Sequence, residues 1–191
     1  KKNNLNLNLG FGILNETKSI FNSFSSGAFG FISDTESKFF SLSSNYKVNS
    51  NLKIFANYSK NISEIPNSNG YISNWSKIKS NSFRIGFKKI NSITKNDSLK
   101  LSLFQPLRVY SASADLNIPI DTEKKPFGRI IYKKERHSIV PKHRQISLEG
   151  IYSWGNEFMQ FSNFSIIDFN PGHIYSNKPN LIYGIKTKIN F

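Results

Sequence analysis

Leu181-Ile182-Tyr183-Gly184-Ile185-Lys186-Thr187-Lys188-Ile189-Asn190-Phe191 is the stretch that decides the fold class. Leu181, Tyr183, Ile185, Ile189 and Phe191 share one parity; Gly184, Lys186, Lys188 and Asn190 share the other, and Thr187 alone interrupts the apolar set. Strand side chains alternate between faces, so the segment is an amphipathic strand with one apolar and one wet side. In a membrane β-barrel the same alternation turns one parity to lipid and the other to a polar interior. Taken by itself, the segment also fits the half-buried last strand of a soluble β-protein.

The same period of two recurs upstream, and helical periodicity is almost absent. Phe40, Leu42, Tyr46 and Val48 oppose Ser41, Ser43, Asn45 and Lys47, and after an Asn/Ser turn Leu52, Ile54, Ala56 and Tyr58 oppose Lys53, Asn57 and Ser59, which predicts a hairpin. Pro66, Gly70 and many Asn and Ser residues mark a longer loop between Ser63 and Ser80. Phe83, Ile85 and Phe87 make a further strand, followed by a turn at Asn96 and Asp97 and by the run Leu99, Leu101, Leu103, Leu107 and Val109. Pro106 lacks a ladder donor, so it implies an edge, a bulge or a strand end within that run. Ala114 to Ile120, Ile130 with Tyr132, Ile146 to Trp154 and the terminal segment supply more strands. Phe158 to Ile167 is apolar on both parities and gives no facing. The expected fold is all-β, an antiparallel up-and-down outer-membrane barrel of about 10–12 strands within one domain over residues 1–191.

Composition narrows the class further. No run of about 18 apolar residues exists to form a transmembrane helix, whereas a barrel spreads its apolar residues over many strands. The net charge of +14 raises nucleic acid or anionic lipid as partners. Basic residues are scattered, however, with only short groups such as Lys133, Lys134 and Arg136, so solvated loop and interior surface is the expected role and nucleic acid is not expected as a partner. The absence of cysteine rules out a disulfide framework and suits envelope and cytosolic proteins alike. Lys1 and Lys2 run straight into the alternating Leu5, Leu7, Leu9 and Phe11 with no apolar core or small-residue cleavage site, so no secretory signal opens the chain. The expectation is a C-terminal part of a longer precursor.

Chemistry-bearing residues are sparse. His137, His143 and His173 stand without cysteine and without a His-Glu-x-x-His pattern, so no metal site is expected. Asp115, Asp121, Glu123 and Glu149 sit among Lys and Arg, where charge balance is a simpler role than acid–base work. Gly27 and Gly30 lack the strand-to-helix setting of a phosphate loop. No cofactor is expected. Arg108 opposes Leu107 and Val109 in parity, which makes it either an interior partner for Asp115 or Glu149 or a loop-end arginine in water. Tyr58, Tyr152, Trp154 and Tyr183 suit interfacial aromatic girdles. Lys53, Arg84, Lys100, Lys186 and Lys188 share the polar parity and predict a cationic interior.

Several segments carry a family resemblance. Ser25-Ser26-Gly27-Ala28-Phe29-Gly30, Leu52-Lys53-Ile54-Phe55-Ala56-Asn57-Tyr58 and Leu103-Phe104-Gln105-Pro106-Leu107-Arg108-Val109 follow in order, then Arg144-Gln145-Ile146-Ser147-Leu148-Glu149 and Asn170-Pro171-Gly172-His173-Ile174. Together with the aromatic terminus, they resemble the C-terminal region of autotransporter-like subtilisin-family (S8) serine proteases of proteobacteria. The resemblance spans most of the chain from about Gly12 to Phe191, and its most specific piece is Gln105, Pro106, Leu107, Arg108 and Val109. Phe104 replaces a more usual small polar residue, and Asn, Ser, Lys and Ile replace an Ala-, Gly- and Arg-rich filler.

The resemblance implies a membrane-embedded translocator or anchor in the bacterial outer membrane, with catalysis assigned to an upstream Asp/His/Ser protease domain. Neither a Gly-Thr-Ser nor a Gly-x-Ser-x-Gly nucleophile motif occurs in this chain, so it is expected to be non-catalytic. Phe191, Ile189, Ile185, Tyr183 and Leu181 resemble the terminal signal that the barrel assembly machinery reads. Partners implied are outer-membrane lipid, that machinery and an N-terminal passenger domain. A stand-alone porin-like or structural barrel and a soluble basic β-domain binding nucleic acid or polysaccharide remain as alternatives.

Overall fold

A computed structural model describes residues 4–20, 23–24, 34–66, 71–124, 128–156 and 158–189. The chain is all-β and its sheets are antiparallel. In order, the strands are β1 (Leu5–Glu16), β2 (Ser19–Ile20), β3 (Ser23–Phe24), β4 (Thr35–Lys47), β5 (Leu52–Glu64), β6 (Ile72–Ser73), β7 (Ile78–Ile90), β8 (Ser98–Ser111), β9 (Ser113–Thr122), β10 (Ile130–Ser138), β11 (Ile146–Gly155), β12 (Met159–Phe169) and β13 (Asn180–Ile189). A 3-10 turn at Pro171–His173 also occurs among the described residues. No helix among the described residues is long and apolar enough to cross a membrane.

An 8-stranded sheet ordered β1-β4-β5-β7-β8-β11-β12-β13 holds the long strands. Each neighbour in that order is the next strand of this sheet along the chain, which makes the sheet an up-and-down meander. Its strands run 10 to 14 residues, against the ~9–11 residues a tilted strand needs to cross a bilayer. Among the described residues no ladder joins β1 to β13.

The predicted 10–12 strands in one sheet are corrected to eight, because the alternating segments at 114–120 and 130–132 leave the main sheet. They form the β9–β10 hairpin, which adds β6 at its other side as a separate 3-stranded sheet. Alternation reports a strand but not the sheet it joins.

Connections divide cleanly between the two ends. Residues 48–51, 91–97 and 156–158 make short turns at one end; 17–34, 65–77, 112–145 and 170–179 make the longer connections at the other. Each short turn is organised by one side chain whose oxygen or oxygens accept backbone N–H bonds, which is why Asn and Asp stand there. Asn49 Oδ1 accepts from Asn51 and Leu52 at 2.9 Å each, and Asn156 Oδ1 accepts from Phe158 at 3.0 Å and Met159 at 2.9 Å. Asp97 accepts from Ser92, Ile93 and Thr94. The predicted hairpin is the β4–β5 pair, with Leu42 opposite Tyr58 and Tyr46 opposite Ile54.

Pro106 does mark a bulge. Phe83 pairs with Gln105 but Asn81 pairs with Arg108, so β8 carries one extra residue at the proline. This corrects the single-phase reading of Leu99 to Val109. Leu103 pairs with Ile85 and Val109 with Ser80, residues of opposite parity in β7. Val109 accordingly packs with Trp75 against a small cluster of Ile20, Ile65, Ile78 and Ala112 near the longer connections.

Candidate functional site

Register builds two contrasting faces on the main sheet. One row crosses every strand as Leu7, Ser44, Ala56, Ile85, Leu103, Leu148, Ile167 and Leu181; the next row on that face reads Leu5, Tyr46, Ile54, Phe87, Leu101, Gly150, Ser165 and Tyr183. On the opposite face the corresponding row is Asn8, Ser43, Asn57, Arg84, Phe104, Ser147, Asp168 and Asn180. Apolar and polar faces are thus separated across all eight strands.

Exposure is inverted relative to a soluble protein. Phe11, Leu9 and Ile185 are 77%, 65% and 65% exposed, whereas Ser63, Ser80 and Ser147 on the polar face are 0% exposed. Soluble domains bury Leu, Ile and Phe and leave Ser and Asn outside. Among the described residues neither smaller sheet is hydrogen-bonded to the main one. The shielded face of the main sheet is the polar one.

Many of the shielded polar groups pair with one another, whereas Ser80 Oγ and the Oδ1 atoms of Asn61 and Asn163 have no hydrogen-bond partner among the described residues. Ser37 and Ser63 share a hydrogen bond of 2.7 Å, Ser59 and Ser82 one of 2.6 Å, and Ser153 and Ser162 one of 2.8 Å. Ser147 Oγ donates to Asp168 Oδ1. At the centre, Glu149 Oε1 accepts from Arg84 Nη1 at 2.6 Å, Lys100 Nζ at 3.0 Å and Ser102 Oγ at 3.0 Å. The Arg84 guanidinium also lies 4.1 Å from the Phe104 ring centroid, and Lys100 Nζ lies 5.5 Å from that of Phe55. One carboxylate thus binds three strands, β7, β8 and β11, and the Phe55 ring adds β5 through Lys100.

Aromatic residues gather at one edge of the apolar face. Tyr152 stacks on Trp154 at 5.5 Å and Trp154 on Phe161 at 5.8 Å, next to the β11–β12 turn. The Tyr152 hydroxyl donates to Asp97 at 2.9 Å and ties this edge to the β7–β8 turn. Of the predicted girdle residues, Tyr58 and Tyr183 share the face, with Tyr58 mid-strand and Tyr183 towards the longer connections.

The terminal-signal residues Leu181, Tyr183, Ile185 and Ile189 lie on β13 with exposed side chains on the apolar face; Phe191 lies outside the described residues. Ser25 to Gly30 lie outside them as well.

Three of the family-like segments meet at the longer-connection end. Gln105, 2% exposed, donates through Nε2 to Asn81 O at 3.2 Å and Asn81 Oδ1 at 3.1 Å, which pins the bulge. His173 Nδ1 accepts from the Gln145 N–H at 2.9 Å, and its Nε2 lies 3.0 Å from Leu107 O. That pairing assigns the proton to Nε2, since the carbonyl can only accept. Gly172 donates to Gln145 Oε1 at 2.7 Å from a left-handed φ of 66° that suits glycine.

Arg108 departs from both readings made of it. Its Nε and Nη2 donate to the carbonyls of His143 at 3.2 Å and Pro141 at 2.9 Å, so it holds a loop rather than a carboxylate. The two candidate acids are taken elsewhere: Glu149 by Arg84 and Lys100, Asp115 by Asn74 at 2.8 Å and Arg136 at 2.9 Å. Bonds from Asn74 and Arg136 hold the Asp115 carboxyl below its ordinary range.

His137 sits 3.3 Å from Glu135, and His143 packs 5.2 Å from the Tyr175 ring. Among the described residues no cluster of three or more His, Asp or Glu side chains is arranged for a metal ion. Among the described residues the hydrogen bonds of the polar-face serines run to other serines, to Glu149 and Asp168, and to Asn61, Arg84 and Gln145. No protein-family model matches this chain, and no curated protein or solved structure is recognisably similar to it.

Proposed function

We propose that this chain is an outer-membrane β-barrel segment, the C-terminal translocator or anchor of an autotransporter-type subtilisin-like serine protease, and itself non-catalytic. The observation that carries the membrane reading is the inverted exposure: a continuous apolar face is turned outward while Ser63, Ser80 and Ser147 are shielded. In water, so much open apolar surface is a liability; against hydrocarbon it is the solvated side. Short turns at one end and longer connections at the other are the usual asymmetry of outer-membrane barrels.

Closure of β1 against β13 completes the proposal. An even count of strands brings the first and last together antiparallel, and both outer edges carry the most exposed apolar side chains of the sheet. Hydrocarbon has no partner for open edge N–H and C=O groups, so a membrane form requires that closure. A barrel of about eight strands is just wide enough for side chains to fill. The Glu149 network and the serine pairs occupy that space, which favours an anchor over a wide conduit.

The assignment to the S8 autotransporter group rests on the resemblance of Gln105 to Val109 and of the 170–174 loop. Heat-modifiable migration tests the barrel: chain refolded in detergent runs faster unboiled than boiled on a gel. Equal migration of a β-rich refolded sample overturns it. The upstream reading frame tests the parent: an Asp/His/Ser protease supports the autotransporter, and a signal peptide placed immediately before Lys1 favours a stand-alone structural barrel.

A further inference from the structure

We propose that Lys47, Lys53 and Lys88, flanked by Lys100, form a binding site for a soluble multivalent phosphate anion. Lys47 pairs with Lys53, Lys53 with Lys88 and Lys88 with Lys100, so the lysines stand in one row across β4, β5, β7 and β8 on the polar face. Directly paired residues have Cβ atoms about 4.5–5.5 Å apart, and like charges so placed repel.

Among the described residues no acid offsets that repulsion along the row from Lys47 to Lys88. Among the described residues only Lys100 has a carboxylate partner, Glu149 at 3.0 Å, and Glu149 already serves Arg84 at 2.6 Å. Asp97, in the neighbouring turn, has its oxygens taken up by backbone N–H groups and the Tyr152 hydroxyl. Lys47 and Lys88 are exposed and Lys53 is half-buried, so their ammonium groups are open to solvent at the short-turn edge. A row of repelling ammoniums without a protein counterion is complementary to a chain of phosphates, which spreads negative charge at comparable intervals. Lysine suits it as a mobile point charge with several donors.

A phospholipid headgroup offers the same chemistry. The row lies on the face opposite Leu7, Ile85 and Leu181, the side assigned above to lipid, and this selects a free anion. Register holds whether or not the sheet closes, so the site does not depend on the membrane reading.

The test is calorimetric titration of sodium tripolyphosphate into the refolded full chain in neutral detergent. K53Q/K88Q is expected to weaken binding by about tenfold or more, and K133Q/K134Q on exposed β10 to leave it unchanged. Without anion, K53Q/K88Q should raise the urea midpoint by relieving repulsion, and tripolyphosphate should then no longer raise it further. The single variants K53Q and K88Q give the same readout should the double variant not refold. Absence of binding to the natural chain, equal loss in the β10 control, or full retention in K53Q/K88Q overturns the site. A chain that binds phosphatidylglycerol vesicles through Lys53 and Lys88 but not tripolyphosphate overturns the soluble anion. Binding by a sample without heat-modifiable migration sustains the site and counts only against the barrel.

Discussion

The ring of Phe39 on β4 occupies the space that a side chain on Gly12 of β1 would fill, and the two residues are registered partners. The same relation joins Phe55 to Gly86 and Phe164 to Gly184, in each case on the polar face. An aromatic ring laid across a cross-strand glycine covers exposed backbone and fixes register. Gly86 differs from the others because an added Cβ also meets the Leu101 carbonyl oxygen, which is backbone and cannot swing aside. G86A is therefore expected to cost about 1–3 kcal/mol, and G12A and G184A about 1 kcal/mol or less, since a ring edge can rotate. Urea unfolding of the refolded chain checks the ranking.

Glu149 neutralises two cations at once. Its side chain is 12% exposed, against 29% and 32% for Arg84 and Lys100, so the cluster is partly shielded from water. E149Q keeps the shape and strips the charge, leaving Arg84 and Lys100 to repel each other. The expected loss lies between that of a surface pair and that of a buried one, about 2 kcal/mol. A double-mutant cycle of E149A with R84A should show coupling of about 1 kcal/mol or more, and additive losses would refute the network.

Asp97 makes one turn sensitive to acid. Burial works to raise its carboxyl, but the Thr94 N–H, the Tyr152 hydroxyl and the Ser92 and Ile93 N–H groups outweigh it and hold the group well below the carboxylate range. A folded pKa lower than the unfolded value of 3.8 means that this contribution is complete above that value and fades as pH falls beneath it. The urea midpoint of the natural chain should therefore fall as pH drops below about 4. D97N removes the ionisation, so its midpoint should be lower at neutral pH and flatter across the same acid window.

The strands that could be read from the chain are those with one clean apolar parity. β4, β5 and β13 alternate Leu, Ile and Tyr with Ser, Asn and Lys, and their register keeps those parities on one face. β12 offered no such reading because Phe161, Phe164, Ile166 and Ile167 fall on both parities. Its facing is decided by a partner: Phe164 turns to the polar face because Gly184 leaves room for the ring. Arg108 was illegible for a related reason. Its acceptors, Pro141 and His143, lie across a connection whose path no local pattern records. The Glu149 cluster draws residues from separate strands, and parity placed Arg84 and Lys100 on the right face without naming their acid.

Arg108 should act through the loop it clamps. R108A leaves the Pro141 and His143 carbonyls without their donors, at a cost of about 1–2 kcal/mol for hydrogen bonds from a charged group. Limited proteolysis should then cut faster near residues 141–145. Charge reversal at Asp115 or Glu149 should not rescue R108E, because neither acid touches Arg108; rescue would mean that an ion pair, not the loop, sets its role.

Trp154 reports directly on which solvent the apolar face meets. It stands between Tyr152 and Phe161 at the short-turn edge and is 36% exposed, whereas Trp75 packs against the apolar cluster near the longer connections. With Trp75 replaced by Phe, the remaining indole should be quenched when the chain is refolded into vesicles of brominated phosphatidylcholine. Quenching should be strongest with bromine high on the acyl chain, since an indole in an aromatic girdle sits near the headgroups. Acrylamide in the aqueous phase should quench it weakly. The reverse pattern, strong acrylamide quenching with no effect of bromine, would mean that this face meets water, and the membrane reading would fall with it.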